Sequence, residues 1–226
     1  MTPPPVLEIV DLSKDYRGLR PLRMRDLTAR AGESIAIIGF DQPSAEVFVG
    51  LVTGASLPDS GEVRLFGRST RSIGDSAEWL SIVDRVGIVS DRAVLLDRFS
   101  VTQNLAMPFT LDIEPPPADV RVRAEALAEE SGIPQARWPD AVAAGGAPVR
   151  TRVRLGRALA LDPQLLLLEH ATATLDLDEA DAFGRDVKAI AIRRQIAVVC
   201  ATADKRFARA VGTRVVTLDA ASGRLR

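Results

Sequence analysis

Short apolar runs separated by stretches of helical spacing organise the chain. Residues 6–12 alternate apolar and polar positions and predict a first strand, and 27–30 predict a second before the turn Ala31-Gly32-Glu33. The run Ile35-Ala36-Ile37-Ile38 is apolar throughout, as a strand buried on both faces would be. It enters Gly39, crosses a loop of turn-forming residues, and continues as a helix through Val47, Phe48, Val49, Leu51 and Val52 to about Gly54. A turn over 57–62 leads to a strand at 63–67, and Val86-Gly87-Ile88-Val89 is another, closed by Ser90-Asp91-Arg92. Further on, apolar strands at 165–168, 196–201 and 214–218 alternate with helices over about 149–161, over 178–194 and from Lys205. This alternation predicts an α/β fold with a largely parallel sheet covered on both faces. Between 92 and 149 the pattern changes. Ile113-Glu114-Pro115-Pro116-Pro117 breaks the chain, a helix follows over 119–132, capped by Asp119 and stopped by Gly132, and 134–148 is a loop rich in Ala and Gly. That segment reads as a helical insertion.

Composition narrows the class. The 226 residues suit one large domain or one domain with a sizeable insertion, and at 46% hydrophobic but 4% aromatic the core must be built from aliphatic side chains. With 29 basic against 30 acidic residues, nothing in the charge argues for a nucleic-acid partner. The single cysteine, Cys200, excludes an internal disulfide framework and suits a reducing compartment. The start Met1-Thr2-Pro3-Pro4-Pro5 has neither the basic nor the apolar segment of a leader peptide, and no apolar run approaches the ~20 residues of a membrane span.

A buried strand, a tight loop and a helix in succession form the geometry of a phosphate-binding loop, whose pattern is G-x-x-x-x-G-K-[ST]. Gly39 fits it, but Ser44, Ala45 and Glu46 stand where Gly, Lys and Ser/Thr belong. Ala45 brings neither charge nor donor. Glu46 brings a carboxylate to the helix start, where it can satisfy free N–H groups and the helix dipole in place of an anion. Pro43 lacks an N–H, and Ser44 replaces a residue free to take positive φ.

With these landmarks the chain resembles the ATP-binding cassette (ABC) ATPase family over nearly its whole length. Gly39 to Val47 takes the phosphate-loop position, and Asp59-Ser60-Gly61-Glu62-Val63 the following turn and strand. The run from Val86 to Asp91, then Ser100-Val101-Thr102-Gln103-Asn104-Leu105, is similar to the glutamine loop and its downstream helix. Gly156 to Gln164 is similar to the helix after the signature motif, Leu165 to Asp176 to the acidic strand and aspartate loop, and Ala201-Thr202-Ala203-Asp204 to the switch-histidine loop. The resemblance implies a P-loop NTPase fold of ABC type: a RecA-like mixed-sheet core over 1–91 and 150–226, with a helical signature subdomain over 92–149.

The same resemblance implies which residues should carry chemistry, and most are replaced. By position, Tyr16, Gly39, Gln42, Ser44, Ala45, Glu46 and Val47 would face nucleotide, with Tyr16 stacking on a base. Asp91 replaces the γ-phosphate-sensing Gln, Glu169 stands at the Mg²⁺ aspartate, His170 replaces the catalytic Glu, and Ala203 replaces the switch His. His170 is either a substituted general base or a residue that closes a buried strand with its ring hydrogen-bonded locally. The signature falls on Gly145, Gly146, Ala147 and Pro148, with its serine gone in any alignment. Asp176 matches the loop that crosses the dimer interface.

A lost charge-assisted hydrogen bond costs about 1.5–3 kcal/mol, and a carboxylate ~4 Å from phosphate adds roughly 4 kcal/mol at an effective dielectric of 20. Together they amount to on the order of four decades in affinity. The expectation is a cassette without hydrolysis, acting as a structural or regulatory partner of a membrane transport complex. ATP and Mg²⁺ are its ligands only on the alternative reading, an ATPase with substituted catalytic groups. No metal ligand set is assigned. Ala45→Lys with Glu46→Ser is expected to restore part of the phosphate affinity. The expected partners are a membrane-spanning permease and a second cassette, and the expected location is the cytoplasmic face of the cell membrane. The transported substrate and its direction are not encoded.

Overall fold

The computed structural model describes residues 4–226; residues 1–3, part of the start read as lacking a leader, lie outside them. The chain opens with β1 (Leu7–Lys14) and β2 (Leu22–Ala29), antiparallel to each other in register Leu7↔Ala29 to Lys14↔Leu22. After β3 (Ser34–Ile38) and α1 (Gln42–Val52), β4 (Ser60–Leu65) returns antiparallel to β1, and the two-residue β5 (Arg68–Ser69) pairs with β4. The resulting sheet, in order β2-β1-β4-β5, is antiparallel throughout and separate from the main one. The expectation of a largely parallel sheet therefore fails for the N-terminal strands. Their alternating pattern is the reason: Leu7, Ile9 and Leu12 face inward while Val10 and Asp11 face water, as in a sheet covered on one side only.

The main sheet holds β6 (Val86–Ser90), β7 (Leu165–Glu169), β8 (Ala197–Thr202), β9 (Arg214–Asp219) and the short β10 (Arg224–Leu225), in order β10-β9-β3-β8-β7-β6. All neighbours are parallel except β10 on β9. Its strands divide their side chains between two cores. Ile35, Ile37, Leu165, Leu167, Ala197 and Val199 pack with Ala45, Phe48 and Leu51 of α1 and with the antiparallel sheet. Ala36, Leu166, Leu168, Val198 and Cys200 pack on the other face. Burial on both faces explains why these strands read as unbroken apolar runs.

The second core is closed by α3 (Val101–Ala106), α4 (Ala118–Glu130), α5 (Gly146–Leu159), α6 (Leu177–Arg194) and α7 (Lys205–Val211). The expected cut between residues 149 and 150 falls inside α5. Asp119 does not cap α4: the helix begins at Ala118 behind Pro117 without a side-chain cap, and Asp119 lies in its first turn. Gly132, at φ +74°, ends that helix as expected. A helix absent from the sequence reading, α2 (Ser76–Val83), is capped by Asp75 and buries only Ile82 fully, which leaves little periodic signal to read.

Candidate functional site

The strand-to-helix turn of the suspected phosphate loop is shorter than its pattern. Helix α1 already starts at Gln42, so only Gly39, Phe40 and Asp41 lie between strand and helix. Gly39 holds φ +112°, and a Cβ there would come within 2.8 Å of the Leu218 carbonyl oxygen, which explains the glycine. Pro43 falls in the first turn, where a missing N–H is harmless, and Ser44 is helical, so neither is strained. Asp41 is the N-cap. Its carboxylate accepts the Ser44 N–H at 2.9 Å, its carbonyl accepts the Ala45 N–H at 3.0 Å, and its own N–H donates to Ser44 Oγ at 3.1 Å. Ser44 Oγ also bonds the Asp41 carboxylate, and these Ser44 contacts hold the Asp41 carboxyl below the usual carboxylate range.

The helix start is thus occupied by Asp41, not by Glu46 as expected. Glu46 sits in the next turn, partly buried, with its carboxylate 3.4 Å from the Arg92 guanidinium and 3.4 Å from Gln42 Nε2. Ala45 is fully buried among the apolar side chains of α1 and the antiparallel sheet, and Val47 packs on the rim of that core.

Glu169 ends β7 beside Ser90 of β6, and its side chain is wholly buried. One carboxylate oxygen accepts Gln42 Nε2 at 2.8 Å and Arg92 Nε at 3.1 Å; the other accepts Arg92 Nη2 at 2.8 Å. Hydrogen bonding to Glu169 raises the Arg92 pKa further above its ordinary value. Arg92, half-exposed, is the residue that sequence reasoning missed. The available signal was a buried glutamate that requires a cation, but naming that cation needs the β6-β7 pairing.

Asp91 does not join this cluster. It turns to α5, where Arg154 donates to its carboxylate at 2.7 Å, to its carbonyl at 2.9 Å and to the Ala93 carbonyl at 3.3 Å. His170 has φ +43°, and its N–H donates to the Ala201 carbonyl at 3.0 Å. Its Nε2 is buried and has no partner among the described residues, so the ring is not locally hydrogen-bonded at that nitrogen. Ala203 is exposed between β8 and α7. Tyr16 lines a cavity of about 570 Å³ with Gly39, Asp41, Pro43 and Ser44; burial first, and then the Asp41 charge, raise its pKa. Gly145 and Gly146 stand at the start of α5, Gly146 at φ +66°, followed by Ala147 and Pro148, with no side-chain cap. Asp176 is the N-cap of α6, accepting the Glu179 N–H at 2.8 Å.

These residues do not fit a magnesium–nucleotide group. Ser44 is turned onto Asp41, Ala45 points into the core, and both Glu169 oxygens are engaged by Arg92 and Gln42.

A parallel sheet with a strand-turn-helix at its centre and a helical layer on one face defines an ATP-binding-cassette architecture. The cassette cbiO1 of Clostridium perfringens, described as part of the ABC transporter complex cbiONQ, superposes with TM-score 0.82 at 19% identity, over 98% of this chain and 87% of that one. A dimeric ATP-binding cassette in a post-hydrolysis state bound to ADP and Pi gives TM-score 0.77 at 20% identity, over 97% of each chain. In sequence, the chain is 30% identical to the lipoprotein-releasing system ATP-binding protein LolD of Psychrobacter arcticus, over 90% of this chain and 91% of that protein. It is 29% identical to the methionine import ATP-binding protein MetN of Mesorhizobium japonicum over 95% of its own length, and spans 58% of that relative. No family model matches the chain. The chain belongs to the family of ABC transporter ATP-binding subunits.

Proposed function

We propose that this chain is a catalytically silent cassette, a structural or regulatory subunit of an ABC transport complex at the cytoplasmic face of a membrane. The observation that carries the proposal is the state of Glu169. Its buried carboxylate is neutralised by Arg92 and bonded by Gln42, so the chain supplies its own cation where a nucleotide site would need oxygen ligands. The helix start adds to this, since its Ser44 and Ala45 N–H groups are bonded to Asp41. The Glu46 repulsion argued from sequence is softened by Arg92 at 3.4 Å, and the Asp41 carboxylate at the N-cap takes over that role.

The partners are a permease and a second cassette, as the relatives' names as import and lipoprotein-releasing ATP-binding proteins support. A groove of about 400 Å³ between β6, α5 and the end of α3, lined by Val83, Ile88, Met107, Pro108 and Leu161, is the surface on which a permease segment would sit. Asp176, exposed at the start of α6, would lie toward a second cassette. No helix among the described residues is long and apolar enough to cross a membrane.

A second reading, an ATPase with His170 as base, is favoured by the His170 Nε2, which has no partner among the described residues, and by relatives named as ATP-binding proteins. Titration of the purified chain with Mg²⁺-ATP, followed by calorimetry and phosphate release, separates the two. No saturable binding below millimolar concentration and no turnover are expected. Turnover abolished by His170→Ala would overturn the silent-cassette reading.

A further inference from the structure

The chain leaves the main sheet for the helical layer at residues 91–100, directly after β6. Arginines hold this exit from both sides. From the joint itself, Arg92 reaches down to Glu169 at the end of β7 and to Glu46 on α1. From the helical side, Arg154 of α5, itself buried, reaches back to the Asp91 carboxylate and to the carbonyls of Asp91 and Ala93. Its neighbour Arg157 donates to the Val94 carbonyl at 2.7 Å, and Arg150 meets Asp97 at 2.6 Å. Each carbonyl that leaves the ladder at this exit and accepts a guanidinium loses the freedom to turn with the helices.

We propose that Arg92 is the resident cation of this cassette and that it fixes the joint between sheet and helical layer in one conformation, independently of any nucleotide or metal. The inference rests on the silent-cassette reading, because a guanidinium on Glu169 and Glu46 replaces a bound cation only where none is delivered with nucleotide. Arg92 acts as a positioning residue. Removing the Arg92–Glu169 pair loosens the joint where it leaves β6, while Arg154, Arg157 and Asn104 keep their own bonds to Asp91, Ala93, Val94 and Leu96 and the sheet behind it stays ordered.

Hydrogen exchange of the full chain, read by mass spectrometry over peptides covering 88–97, tests this. The test variant is Arg92→Gln with Glu169→Gln, which removes both charges, leaves no buried ion unpaired, and so avoids the misfolding that Arg92→Ala risks. A control, Arg64→Gln, breaks the exposed Arg64–Glu62 pair elsewhere. In the wild type, exchange at 91–96 is expected to be slow and unchanged by EDTA. In the double variant it is expected to rise at least tenfold there, with β7 and β8 unaltered. Arg92→Lys is expected to fall between, since an ammonium keeps the charge but loses the two-pronged contact. Wild-type exchange at 91–96 in the double variant, or an equal rise in the control, would overturn the proposal. Exchange in the wild type that slows on adding Mg²⁺-ATP would instead overturn the silent-cassette reading, which is a separate result.

Discussion

The Asp41 carboxylate is held by Ser44 below the ordinary carboxylate pKa of 3.8, so its ionised form favours the folded state. That contribution is complete above the unfolded value and is lost as pH falls through the lower folded one. Asp41→Ala is expected to cost about 1 kcal/mol at pH 7, as loss of an N-cap does, and the gap to wild type should narrow below about pH 4, read by urea unfolding across that range. Glu169 sets a larger effect. Its side chain has no exposure, so Arg92→Ala leaves a buried charge unpaired and is expected to cost about 3 kcal/mol. Arg92→Met with Glu169→Leu removes both charges and is expected to stay within about 1 kcal/mol of wild type. A single variant as stable as wild type would show that water reaches Glu169 freely.

Among the elements, α1 differs most from its sequence pattern. Gly39 and the apolar run before it gave away the strand-turn-helix, but not where the helix would start, because the capping bonds of Asp41 and Ser44 compete with the open loop. This bears on the expected rescue. Ala45 has no exposed surface, so Ala45→Lys drives an ammonium into an aliphatic core rather than toward a phosphate. The expected cost is on the order of 4 kcal/mol, the equivalent of a lysine pKa lowered by about three units. The double change Ala45→Lys, Glu46→Ser should therefore lower the thermal midpoint without producing Mg²⁺-ATP binding. The buried strands of the main sheet were legible because both of their faces are apolar, whereas α2, with Ile82 alone fully buried, carried too little periodicity to be seen. Arg92 and the direction of Asp91 depend on which strands lie side by side, and an isolated sequence does not state that.

At the scale of the whole molecule, the helical layer and the sheet share one core. Leu105 of α3, Ala124 and Leu127 of α4 and Leu155 of α5 pack in the same cluster as Leu166, Leu168 and Val198 of the sheet. Charges tie the layer to α6 as well, where Glu130 meets Arg193 and Arg194, and Arg152 meets Asp186 at 2.7 Å. A fragment of residues 92–149 is expected to be unfolded by circular dichroism, since its apolar faces have no partner without the sheet. The full chain is expected to unfold in one transition in urea, with coincident curves from secondary-structure and tryptophan probes. A stable helical fragment would mean that the layer is a separate folding unit.

The Arg92–Glu169 pair also constrains how this sequence can change over generations. Replacing Arg92 alone strands a buried anion, replacing Glu169 alone leaves Arg92 only the longer contact to Glu46, and a lysine at Ala45 meets the aliphatic core. Substitution of Arg92 alone, or of Ala45 by lysine, therefore passes through a less stable intermediate. Positions 92 and 169 are therefore coupled in descent, and the pair is expected to change only by coordinated substitution.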